Sequence, residues 1–135
     1  MKSSFLNADK PFMTTMVQAE TAERVIELME LSKREGADAF GVQACKLKPE
    51  FQKPEYYRQI FGHADGLPVY ATNYRYGYNE AKTDEELAEG LLVLADCGAT
   101  LCDVVGDYFC RDQDELTMNP EAVRRQMELI EKLHD

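Results

Sequence analysis

The sequence has no tryptophan and only two histidines, His63 and His134. Histidine-based nucleophile pairs therefore have little to draw on. His63 is expected at a helix end before a turn, on the side away from the strand ends, and His134 in a frayed terminus. The four cysteines, Cys45, Cys97, Cys102 and Cys110, form no C-x-x-C pair and stand far from both histidines. That spacing does not indicate a zinc site, and reduced, incidental thiols are expected. There is no G-x-G-x-x-G and no Walker A loop, so no nucleotide cofactor is expected, nor any other cofactor or metal. No apolar run approaches the roughly 20 residues of a membrane-spanning helix. Met1 to Lys10 is polar and carries only Phe5 and Leu6, too little for a signal-peptide core. The reading is a cytoplasmic chain with no membrane contact.

Positive charge is also scarce. Lys and Arg number 15 against 25 Asp and Glu, a formal net charge of −10. Without a basic stripe, nucleic acid and anionic membranes are not expected partners, because like charge repels. A small anionic substrate stays compatible, since a few local cations set the field of a pocket.

What is present is an ordinary globular composition, 44% apolar and 30% charged over 135 residues. This fits one domain spanning 1–135, with residues 1–10 as a loose lead-in. It is short for a closed (β/α)8 barrel, which needs roughly 200 residues. Phe12–Val17 after Pro11 reads as a first strand. Thr21 caps a helix to Glu35, with Ala22, Val25, Ile26 and Met29 on one face and Gly36 as its stop. Ala37–Gln43 is a second strand, followed by a lysine-rich loop. Pro54 opens a second helix whose apolar side is Tyr56, Tyr57, Ile60 and Phe61. Leu67–Asn73 is a third strand. Thr83-Asp84-Glu85-Glu86 is a capping box for a third helix with a Leu87, Leu91, Leu94 stripe. Ala99–Val105 is a nearly unbroken apolar run, the pattern of a parallel strand buried on both faces, interrupted only by Asp103. Asn119 and Pro120 open a last helix with Val123, Met127 and Ile130 on its inner face.

Strict β-α alternation means an α/β fold of four β-α units with parallel strands. Two architectures satisfy it: the N-terminal half of a (β/α)8 TIM-type barrel, or a small doubly wound four-stranded sheet. Both bind ligands at the C-terminal ends of the strands. The loop after the third strand, Asn73 to Lys82, is the richest. Arg75 offers a planar fork for a carboxylate, with Asn79, Glu80 and Lys82 close behind. Asp107 lies at the end of the fourth strand, where a catalytic or orienting carboxylate belongs, or serves as a structural carboxylate. Gln43 and Cys45 share a face at the end of the second strand, beyond Gly41, and Gln43 can hydrogen-bond a ligand or bridge strands.

Glu35-Gly36-Ala37-Asp38, Leu67-Pro68-Val69-Tyr70-Ala71-Thr72-Asn73-Tyr74-Arg75 and Cys97-Gly98-Ala99-Thr100-Leu101-Cys102-Asp103-Val104 together resemble the opening of type I 3-dehydroquinate dehydratases. The resemblance runs from about Pro11 to His134 and implies a (β/α)8 barrel lyase of the shikimate pathway. Such an enzyme dehydrates 3-dehydroquinate to 3-dehydroshikimate through a lysine Schiff base, assisted by a histidine, without metal or cofactor. It implies that Arg75 is the arginine after strand three, that the acidic residue a few positions later corresponds to Asn79 or, with one residue of slip, Glu80, and that Asp107 is the carboxylate ending strand four. The family pattern Glu-x-Arg-x-Asp on strand two is replaced here by Gly41, Gln43 and Cys45. None of Lys46, Lys48 or Lys82 matches the Schiff-base lysine, and no catalytic residue of the family falls within this chain. The expectation is an inactive N-terminal half that pairs with a missing C-terminal half or forms a homodimer. The alternatives are a complete α/β domain binding an anionic small molecule or a protein, and a pseudoenzyme that kept the barrel and lost the site.

Overall fold

The computed structural model describes residues 4–135. Four parallel strands alternate with four helices: β1 Thr14–Val17, α1 Ala22–Arg34, β2 Ala39–Gln43, α2 Pro54–Gly62, β3 Val69–Thr72, α3 Asp84–Asp96, β4 Leu101–Cys102 and α4 Pro120–His134. The α/β alternation is as expected. Each helix starts where a short polar side chain accepts an otherwise orphan amide or where proline needs none. Thr21 Oγ1 accepts from Arg24 N at 3.2 Å, and Asn119 Oδ1 accepts from Ala122 N at 3.0 Å. The capping box of α3 is complete: Glu86 N donates to Thr83 Oγ1, and Thr83 N donates to Glu86 Oε2. Gly36, at φ +94°, makes the left-handed turn that releases the chain from α1 into β2.

The strand order is β1-β2-β3-β4, without a reversal. A doubly wound sheet switches direction at one point and places helices on both faces. Here α1 packs on α2, α2 on α3 and α3 on α4, so the helices form one continuous layer. Beneath that layer lies the core. Phe40 and Val42 of β2, Val69 and Ala71 of β3, Val25 and Met29 of α1, Ile60 of α2, and Leu87, Leu91 and Leu94 of α3 are all essentially free of solvent. Alternate strand residues point to the opposite, uncovered face. The register aligns Met16, Gly41, Tyr70 and Leu101 across that face.

Several expectations need correction. The fourth strand is two residues long, not seven, and is not buried on both faces: Leu101 is exposed and Cys102 to Val105 are half-buried. It is an edge strand, paired only with β3, so its apolar content has nothing to cover it on the outer side. The expected inner face of α4 is also rotated. Ala122 and Leu129 are buried, whereas Val123 and Met127 are exposed and Ile130 is half-buried. In the described part of the lead-in, Phe5–Asn7 form a 3-10 turn and Phe5 meets Phe12 edge-on at 5.4 Å. Residues 1–3 of that lead-in lie outside the described residues. No helix among the described residues is long and apolar enough to cross a membrane.

Leu91→Ala removes a side chain from the centre of the α3–sheet interface. Its cost is expected at about 2–5 kcal/mol, read as a lower denaturation midpoint at unchanged denaturant slope.

Candidate functional site

The ligand-binding end of a parallel α/β sheet is the C-terminal edge of its strands. Gln43 ends β2 and pairs in register with Thr72 at the end of β3. The Ala71–Cys102 pairing then brings Asp103, the next residue of the fourth unit, alongside Thr72. Three polar side chains thus form one row across three adjacent units on the uncovered face. Each holds a buried acceptor without a partner: Gln43 Oε1, Thr72 Oγ1 and Asp103 Oδ1. An orphan of this kind costs about 1–3 kcal/mol, so a cluster of three is not a random packing outcome. The second Asp103 oxygen accepts from the Tyr74 hydroxyl at 2.6 Å, and that hydroxyl is also paired with the Tyr70 hydroxyl. Burial first, and the bond to the Asp103 carboxylate second, push Tyr74 well above the ordinary tyrosine range, so it stays a neutral donor. A cleft of about 440 Å³ opens beside the row, bounded by Tyr74, Tyr76, Asp103 and Glu115.

Arg75 lies at the edge of this cleft, but its fork is directed at two carboxylates. Nε and Nη2 donate to the two Asp84 oxygens at 2.9 and 3.1 Å. Nη1 donates to Asp107 Oδ1 at 2.6 Å, and Nη2 also donates to the Asp107 carbonyl at 3.2 Å. Four of the five guanidinium N–H groups are spent inside the protein. Both carboxylates are buried and further anchored, since Asp84 Oδ2 accepts from Phe109 N and Asp107 Oδ2 from Asp112 N. The result is a clamp that ties the β3–α3 loop, the first turn of α3 and the β4–α4 loop together. Burial opposes ionisation of Asp84; the Arg75 guanidinium and the Phe109 amide outweigh it and hold this carboxyl below its ordinary value.

The remaining sequence-predicted residues separate. Asn79 is fully buried and braces the loop, donating to Asn73 Oδ1 at 2.8 Å and to the Tyr74 carbonyl at 3.0 Å. Glu80 is exposed and outside the cleft lining. Gln43 remains on the uncovered face. Cys45 does not share that face: β2 ends at Gln43, and Cys45 is buried in a 3-10 turn over Ala44–Lys46. Burial pushes its thiol up, which makes it a poor nucleophile. The cations are occupied as well. Lys46 Nζ sits 5.1 Å from the Tyr76 ring centroid, Lys48 faces Glu20 at 3.6 Å, and Lys82 Nζ donates to Gln52 Oε1 at 2.6 Å. Burial lowers Lys82 from its ordinary value. At Gly41 a Cβ would lie 1.9 Å from Met16 Sδ, so the thioether fills the volume that a side chain at this position would need. No group of three metal-ligating side chains occurs among the described residues.

Sequence reasoning missed Thr72 as a site member and Asp84 as the main partner of Arg75. Asp84 was visible only as a first-turn helix acid, and its reach to Arg75 depends on how the loop folds back.

Arg75→Ala strands two buried carboxylates and is expected to destabilise the protein by about 3–5 kcal/mol, with Arg75→Lys recovering only part because it cannot bridge both. Because the folded Asp84 value is depressed, its contribution is complete above the ordinary aspartate value of about 4 and is lost as pH falls through the depressed value. Denaturation midpoints measured against pH below about 4 should therefore fall for the parent and fall less for Asp84→Asn.

A scan against protein-family models and a search of curated proteins return no match to this chain.

Proposed function

We propose that this chain is the N-terminal half of a (β/α)8 barrel of the type I 3-dehydroquinate dehydratase kind, and that it supplies the substrate-positioning side of the site without the Schiff-base machinery. The observation that carries this reading is the unreversed parallel order β1-β2-β3-β4 under one helical layer. That arrangement suits half the circumference of a barrel, with its polar row at the end where barrels bind ligands. The resemblance of the strand-turn segments adds the reaction class, and the row suits a hydroxylated ring. Of the row, Asp103 lines the cleft, while Gln43 Oε1 and Thr72 Oγ1 lie buried beside it without a partner and would accept from substrate hydroxyls only once the row opens. Arg75 acts from behind the site by fixing the loops, so the substrate carboxylate is met by a cation outside this half. The Met16 side chain over Gly41 also favours a second reading, a pseudoenzyme that kept the barrel and lost the strand-two carboxylate.

3-Dehydroquinate added to the 135-residue chain should shift the NMR signals of the Gln43 side-chain amide and the Thr72 amide. Gln43→Ala and Asp103→Asn should each reduce that response severalfold. Borohydride treatment of the mixture should leave the 15.4 kDa mass unchanged. A saturating titration without any shift at this row overturns the substrate assignment, and a reduced adduct on Lys82 or any other lysine overturns the division of labour.

A further inference from the structure

Thr72 is fully buried, although it lies on the face of the sheet that no helix covers among the described residues. Its enclosure comes from its own strand. Tyr70 precedes it by two residues and points to the same side, in register with Gly41 and Leu101. Tyr74 follows it by two and returns to that side, because its hydroxyl is paired with the hydroxyl of Tyr70 and donates to Asp103 Oδ2 at 2.6 Å. The two tyrosines therefore meet over Thr72, and a carboxylate of the fourth unit latches their junction. Thr72 Oγ1 is left inside without a partner, as are the neighbouring Gln43 Oε1 and Asp103 Oδ1.

The backbone that carries Tyr74 is fixed on both sides. Asn73 Nδ2 donates to the Leu87 carbonyl at 3.0 Å, and the Tyr108 hydroxyl donates to the Asn73 carbonyl at 3.2 Å. Asn79 Nδ2 donates to the Tyr74 carbonyl at 3.0 Å, and Arg75, next along, is held by Asp84 and Asp107. Exposing Thr72 by lifting the loop would break all of these bonds. Turning the Tyr74 side chain about its own bonds breaks only those of its hydroxyl. There is room for that turn: Tyr74 borders the cleft of about 440 Å³, which Tyr76, Gly106 and Glu115 also line. The Tyr76 ring, 5.4 Å from that of Tyr74 and tilted by 34°, offers a second surface to rest on. Side-chain positions are staggered and discrete, so the ring lies either over the row or in the cleft. We propose that Tyr74 is a side-chain gate, closed over Thr72 while its hydroxyl is latched to Asp103 and Tyr70, and swung into the cleft when a polyhydroxylated ligand takes the row. Opening then exchanges like for like. Ligand hydroxyls donate to Thr72, Gln43 and Asp103 and replace the bond that Asp103 loses. An apolar ligand of the same size supplies no such donor and leaves the gate shut.

The inference rests on the row as the ligand-binding surface proposed above, but its test needs no ligand. In Thr72→Cys, alkylation by iodoacetamide at position 72, located by peptide mass mapping, reads how often the gate opens. Adding Tyr74→Phe keeps the ring and removes the latch. It should speed that reaction about tenfold, the size expected for losing a hydrogen bond to a charged group. Tyr70→Phe in its place removes the other partner of the same hydroxyl without touching a charge, and should speed the reaction severalfold. Cys97 is buried elsewhere, with its thiol on the Pro54 carbonyl, and its alkylation should not change. An unchanged rate at position 72 overturns the gate. An equal rise at Cys97 overturns it too, because the fold as a whole has then loosened. Shifts with 3-dehydroquinate but no effect of Tyr74→Phe overturn the gate alone. Faster alkylation at position 72 alone, with no such shifts, overturns the substrate assignment and leaves the gate standing.

Discussion

Parallel neighbours cannot be joined by a tight turn, and every later feature of this protein follows from how its three crossovers run. All move in one direction along the sheet, so each helix lands beside the previous one. One face of the sheet is thereby sealed by Leu87, Leu91, Leu94, Val25, Met29 and Ile60. The other is covered by no helix among the described residues. The core and the site are consequently separated by a single layer of backbone. Phe40, Val42 and Ala71 point into oil-like packing, while Gly41, Gln43 and Thr72, their immediate chain neighbours, belong to the uncovered side.

The same geometry explains why the most eye-catching charge is not aimed at a ligand. The loop leaving β3 must cross the strand ends to reach the start of α3, and Arg75 sits at that crossing. Asp84, in the first turn of α3, already interacts favourably with the helix dipole. Asp107 arrives from the next unit. Two buried carboxylates side by side would repel without a cation between them, and among the described residues Arg75 pairs with both. Its removal would cost more than any contact it makes with solvent, so its first obligation is structural. The unpartnered acceptors on the uncovered side are the Gln43 amide, the Thr72 hydroxyl and the Asp103 carboxylate, beside a Tyr74 kept protonated by burial.

The legible parts of this fold were the ones decided locally. Thr21, the Thr83–Glu86 box, Asn119 and the two helix-opening prolines set helix starts through contacts spanning three residues, and all appear as anticipated. The Leu87–Leu91–Leu94 stripe needed no knowledge of the partner surface beyond its existence. What failed depended on neighbours far along the chain. An apolar run reads as a strand buried on both faces only if something lies on both faces, and β4 has a partner on one side. Val123 and Met127 looked like an inner face because the apolar pattern of α4 is wider than the stripe it buries. The pairing of Gln43 with Thr72 and the reach of Asp84 to Arg75 are register and loop-return effects, which single-residue chemistry does not encode.

Those failures share a direction, and the direction is informative. Each misplaced apolar residue, Leu101, Val123 and Met127, was expected inside and is found at the β4–α4 margin. Met16, on the uncovered face of the sheet, and Leu31, on α1, are also exposed. The most exposed apolar side chains, Leu6, Met13, Leu116 and Met118, lie before β1 and in the β4–α4 loop, so exposure is not confined to that margin. Periodicity placed these residues against protein; the single chain supplies that protein for the middle of the layer and not for its ends. The hydrophobic pattern is therefore satisfied in the middle of the helical layer and left open at its β4–α4 end.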